Sequence, residues 1–147
     1  MIVMDEPELE LVYEIFCDDV RLEVGNKLSL MGVFQNIAVQ QLPASIFKFA
    51  IVSHWRGNGR HSSEIRILSP DRHPIIISQP TRFEVQPGGF ADNISFFVNV
   101  AFEHPGQYIV QTLINSTVFC ENPLNVIATS LVESGTGNVA DASERIN

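Results

Sequence analysis

The sequence predicts an all-β domain, an immunoglobulin-like antiparallel β-sandwich of seven to nine strands, with a jelly-roll-like sandwich as the alternative. Three observations carry this. Apolar residues recur at period two in one segment after another, most cleanly in Ile94, Phe96, Val98, Val100 and Phe102. Gly- and Pro-rich turn signals separate these runs at roughly 8–12-residue spacing, the rhythm of a sandwich. No strongly amphipathic helix and no internal repeat compete with that pattern.

The elements follow in chain order. Leu9, Val12, Tyr13 and Phe16 have helical spacing, but the run Val12-Tyr13-Glu14-Ile15-Phe16 is rich in β-formers and reads as the first strand. Gly25-Asn26 closes a hairpin onto a strand carrying Leu28, Leu30 and Phe34. Gly32 falls on its apolar face, which implies a bulge or the close approach of a neighbour. After a break at Leu42–Ser45, Phe47, Phe49, Ile51 and Trp55 alternate with Lys48, Ala50, Val52 and His54. Arg56-Gly57-Asn58-Gly59-Arg60 reads as a flexible basic loop, and Gln86-Pro87-Gly88-Gly89 as a turn. Ile65 and Ile67 share one face, as do Tyr108 and Val110. Ser69–Pro74, Glu103–Gly106 and Asn115-Ser116 mark further turns, and Asn122-Pro123 introduces a last stretch, Leu124–Ile127. Pro105-Gly106-Gln107-Tyr108 resembles the tyrosine corner of immunoglobulin-like sandwiches, in which a hydroxyl bonds backbone across a strand start.

With 147 residues the chain is one domain's length. We place the domain at 1–127 and a polar, flexible tail at 128–147, where the hydrophobic period is lost. The acidity is uneven. Of the net charge of -8, the first twenty-five residues contribute eight acids against Arg21 alone. Residues 54–73 hold Arg56, Arg60, Arg66 and Arg72 with three histidines, against Glu64 and Asp71. A pI near 4.8 argues against nucleic-acid binding through overall charge. The start Met1–Glu6 lacks the order of a secretory signal, and no run approaches the ~20 apolar residues of a membrane helix. The expectation is a cytoplasmic protein that is not in a membrane, with both cysteines reduced.

No catalytic constellation emerges. There is no Gly-x-Ser-x-Gly elbow, and Cys17 has no nearby His to activate it. Neighbouring strand residues point to opposite faces, so Asp18 and Asp19 form no dyad in a regular strand. His54, His61, His73 and His104 lack ligand spacing, and Cys17 and Cys120 lie about a hundred residues apart. The expectation is therefore no enzyme, no cofactor and no metal. Trp55, Arg56, Arg60, His61 and Arg72 are the candidate binding residues, an aromatic and basic grouping of the kind that grips a polyanion. The competing reading is a tryptophan capping the core beside solvated arginines.

Phe16-Cys17-Asp18-Asp19-Val20-Arg21, followed by Gly25-Asn26-Lys27-Leu28-Ser29-Leu30-Met31-Gly32-Val33-Phe34, resembles the opening of an uncharacterised bacterial family, a domain of unknown function. The resemblance implies a compact β domain from a bacterial or phage source and carries no catalytic residues. It implies structural roles for Cys17, Asp18 and Gly32, such as a bulged first hairpin; Tyr108 has its own structural role at the corner. The function expected is a non-enzymatic binding or assembly module acting through protein–protein contacts, with a protein partner or a second copy. The alternative is a small-ligand or metal-binding sandwich using Asp18, Asp19 and nearby histidines. Nucleic acid held by Trp55, Arg56 and Arg60 ranks third.

Overall fold

A computed structural model of the protein describes residues 8–129. Eight strands fill it: β1 (Leu9–Glu23), β2 (Lys27–Phe34), β3 (Asn36–Val39), β4 (Ala44–Leu68), β5 (Pro74–Ile77), β6 (Thr81–Phe102), β7 (Gly106–Ile114) and β8 (Thr117–Ala128). The tail expected over 128–147 lies, from position 130 on, outside the described residues.

Turn chemistry sets the first and last hairpins. Gly25 and Asn26 have φ of 84° and 60°, and Asn115 and Ser116 have 51° and 70°. Two successive positive φ values match the twist of the flanking strands, which is why such pairs close hairpins.

The backbone of the fold is the long antiparallel ribbon of β4 and β6, paired from Ala44↔Phe102 to Ser63↔Thr81. Its register shifts between Gly57 and Gly59, and there the ribbon passes from one layer to the other. The segments expected to be a basic loop (56–60) and a turn (86–89) are thus parts of two continuous strands. Glycine supplies the unusual backbone that a flexible loop was expected to supply. At Gly57, with φ 149°, a Cβ would run into the backbone carbonyl of Glu8, whose oxygen accepts a hydrogen bond from Asn58 N at 2.9 Å.

On the other edge of β4, β1 pairs with residues 50–57 and β7 with residues 63–68. The first layer therefore runs β2-β1-β4-β6, and the second runs β3-β8-β7-β4, with β5 and the start of β6 beyond. All pairings are antiparallel except β3 with β8. Between the layers sits one core: Phe16, Phe49, Ile51 and Phe97 from the first face Ile65, Ile67, Tyr108, Val110, Leu124 and Val126 from the second. Each such side chain contributes about 1.5–3 kcal/mol on burial.

Two strands change face partway along. Ile94, Phe96 and Val98 were expected inside with Val100 and Phe102. Instead Phe97 is 6% exposed, while Phe96 is 50% and Val98 58% exposed. The inversion falls at Asn99, whose φ is 52°, and Val100 and Phe102 beyond it return to the core. Pairing stays in step across it, since Val98 faces Lys48 and Val100 faces Ile46. Gly32, φ 69°, does the same to the first hairpin. Phe34 packs on the main core, whereas Val20, Leu28 and Leu30 cover Cys17, Ala50 and Val52 on the other side. Cys17 opposes Val33 and Asp19 opposes Met31, so no residue is gained or lost. The expected bulge is a bend in register, made where a side chain at position 32 would strike Asp18.

Tyr108 makes the corner foreseen from the sequence. Its hydroxyl donates to the carbonyl of His104 at 2.8 Å, and its ring meets Phe102 edge-on at 5.0 Å.

Candidate functional site

The five candidate binding residues do not form one site. Arg60 and His61 share a cleft of 480 Å³ with Ser62, Arg82, Phe83, Glu84 and Asn115. Trp55 lies behind that cleft, fully buried, its ring 6.0 Å from Phe83 and 5.2 Å from Phe119. The indole supports the cleft and presents no face to a ligand outside. Arg56 points away and covers Phe90 at 5.1 Å. Arg72 sits at the β4–β5 turn and donates through both terminal nitrogens to Glu121, at 2.7 and 3.4 Å. That bidentate pair, with Gln111, holds Glu121 below the usual carboxylate range and raises Arg72.

The basic segment also loses much of its free charge to the chain itself. Arg56 has Glu10 at 3.9 Å, Arg60 has Glu84 at 3.8 Å and Arg66 has Glu64 at 4.0 Å. Asp19 takes Lys48 at 3.1 Å and the amide of Val20, contacts that lower its pKa. Among the described residues, no group of three or more His, Cys, Asp or Glu is placed to hold a metal ion. His54 stacks between Tyr13 and Phe90 at 4.8 and 5.0 Å and meets Asp92 at 2.5 Å. His73 bonds Asp71 at 2.9 Å in its turn. Both cysteines are free thiols. Burial raises each, helped by Asp18 at Cys17 and by Glu14 at Cys120, which leaves them poor nucleophiles.

Two features escaped sequence reasoning. The first is Glu14, two residues before Phe16 and on the same inward side of β1. Its Oε2 accepts from Ser53 Oγ at 2.9 Å and Thr112 Oγ1 at 2.6 Å, and its Oε1 accepts from Asn122 Nδ2 at 2.9 Å. One carboxylate thereby ties β1 and β4 to β7 and β8. The available signal was an acid at a core-facing position of an alternating strand; it was hidden among eight N-terminal acids.

The second is the outer side of β6. Phe90, Ile94, Phe96 and Val98 stand exposed there, and Phe47 on β4 is 76% exposed nearby. Residues 93–102 contain no charged side chain. Among the described residues β6 pairs with β4 alone, so its second edge offers backbone N–H and C=O groups. Lys48 reaches over Phe96 at 5.5 Å.

Two facing layers bent from one ribbon and latched by a tyrosine corner define an immunoglobulin-like β-sandwich. Residues 12–127 match the family of unknown function DUF6941, and the chain belongs to that family. No curated protein sequence matches it. Among solved structures, β-glucosidase from Listeria innocua aligns at TM-score 0.50 and 9% identity over 85% of this chain. The alkylpurine DNA glycosylase AlkC of Pseudomonas fluorescens, bound to DNA containing an abasic site analogue, aligns at 0.48 and 10% over 64% of this chain. An immunoglobulin-like protein from Pseudomonas aeruginosa aligns at 0.39 and 11%, over 81% of this chain and 96% of its own. The chain spans 17% of the glucosidase and 28% of the glycosylase. The glucosidase likeness is one of fold alone.

Proposed function

We propose that this domain is a non-enzymatic assembly module of the bacterial cytoplasm that binds a second copy of itself along the free edge of β6. The observation that carries the reading is the uncharged, largely apolar stretch 93–102 on a strand that, among the described residues, is paired on one side only. Native edge strands are usually blunted by lysine, proline or short length. This one has none of these over ten residues. Paired antiparallel with itself about a two-fold axis, it opposes no like charges, which makes the edge self-complementary. The two free cysteines suit a reducing compartment.

Light scattering on the purified chain across a protein-concentration and salt series tests this. A dimer that persists at high salt is expected, because apolar and backbone contacts are not screened. Val98→Lys puts a charge on the exposed face of that strand and is expected to give a folded monomer. A strict monomer at high concentration, or a dimer indifferent to Val98→Lys, contradicts the reading.

A further inference from the structure

Independently of that edge, we infer that Glu14 is the anchor of a binding site for a primary ammonium group. The carboxylate is partly buried and, among the described residues, has no cationic partner within ion-pair distance. Neutral donors alone hold it: Ser53, Thr112 and Asn122. They occupy three of about four lone-pair directions, two on Oε2 and one on Oε1. Glu14 also lines a 310 Å³ cleft, together with Phe16, Phe34, Gln35, Asn122 and Asn125.

The chemistry of this cleft selects its ligand. Asn122 gives one amide N–H to Glu14 and Asn125 gives one to Asn36 Oδ1, which fixes the orientation of both amides and leaves their carbonyl oxygens as acceptors. Carboxylate and carbonyl acceptors beside aromatic walls suit a cation carrying several N–H donors and an apolar stem. A guanidinium pairs best through its fork with both carboxylate oxygens, and Oε2 already takes two hydroxyls, which denies it that geometry. Calcium needs six to eight oxygens, and among the described residues the cleft holds a single carboxylate. An anion is repelled. A compact ammonium needs one open direction on Oε1, and that is what remains. The group could arrive on a free alkylamine or on a lysine side chain; the chemistry recognised is the same.

NMR titration of the full chain with n-butylammonium, n-butylguanidinium and a blocked lysine dipeptide tests the site. Saturable shifts of the Glu14, Gln35 and Asn122 amides are expected with butylammonium, at least tenfold weaker with butylguanidinium. Glu14→Gln keeps the hydrogen-bonding shape and is expected to weaken butylammonium at least tenfold. Gln35→Lys, at an exposed cleft position, tethers an ammonium beside the carboxylate and is expected to exclude the free amine. Binding of the lysine dipeptide as tight as butylammonium assigns the site to protein lysines, and its exclusion assigns it to free amines. Equal response to both cations, no saturation with butylammonium, or unaltered binding in folded Gln35→Lys overturns the inference.

Discussion

β6 and β7 begin from the same sequence logic and end differently. Both alternate apolar and polar residues, and both carry aromatic side chains to the core. β7 lies between β4 and β8, and its Tyr108 and Val110 are buried on the side that alternation assigns them. Along residues 89–102, β6 has a partner on one side only among the described residues, and its alternation breaks at Asn99. The comparison teaches that a period of two identifies a strand but not which side is inside. One residue with a left-handed backbone inverts the answer for everything before it.

The largest effect expected from this contrast separates adjacent residues of identical chemistry. Phe97→Ala removes a ring stacked on Phe49 at 5.4 Å and should cost about 3–5 kcal/mol. Phe96→Ala, one residue away, should stay within about 0.5 kcal/mol in the isolated fold. Urea denaturation of the two variants, read at a concentration where the chain is monomeric, checks both. Asn99→Val is next, since a β-branched residue resists positive φ; a loss of about 1–3 kcal/mol is expected, with Asn99→Gly nearly neutral. Tyr108→Phe removes the corner hydrogen bond and should cost about 1 kcal/mol by the same measurement, with no change in the position of β6.

The smallest effect is on acid stability. Asp19, Asp71 and Glu121 all titrate below their ordinary values of 3.8, 3.8 and 4.5, held by Lys48, by Ser69 and His73, and by Arg72 and Gln111. The unfolded chain therefore takes up these protons first as the pH falls. Their contribution is complete above the ordinary values and is lost as the pH drops through the lower, folded ones. All three groups face water, so the slope of melting temperature against pH in that window should be shallow and should flatten in salt.

Much of the fold was legible. The two tight turns, the Ile65/Ile67 and Tyr108/Val110 faces and the corner itself follow from local chemistry, because each depends on residues close in sequence. What was hidden depends on contacts distant in sequence. Arg56–Arg60 carries every mark of a loop, and only pairing with β6 and the approach of Glu8 make it strand. Gly32 announced a close approach but could not name Asp18 as the neighbour. Trp55 looked like a ligand platform because its cover, Phe83 and Phe119, comes from strands far along the chain. Glu14 was invisible for a related reason: its partners Ser53, Thr112 and Asn122 lie on three other strands.

Amide hydrogen exchange along residues 93–102 tests the assembly edge most directly. The amides in this stretch that do not bond to β4 should become protected as protein concentration rises, and Val98→Lys should abolish that protection while leaving β7 unchanged. Exchange of these amides at unprotected rates at every concentration, in a chain that remains folded, would contradict the account.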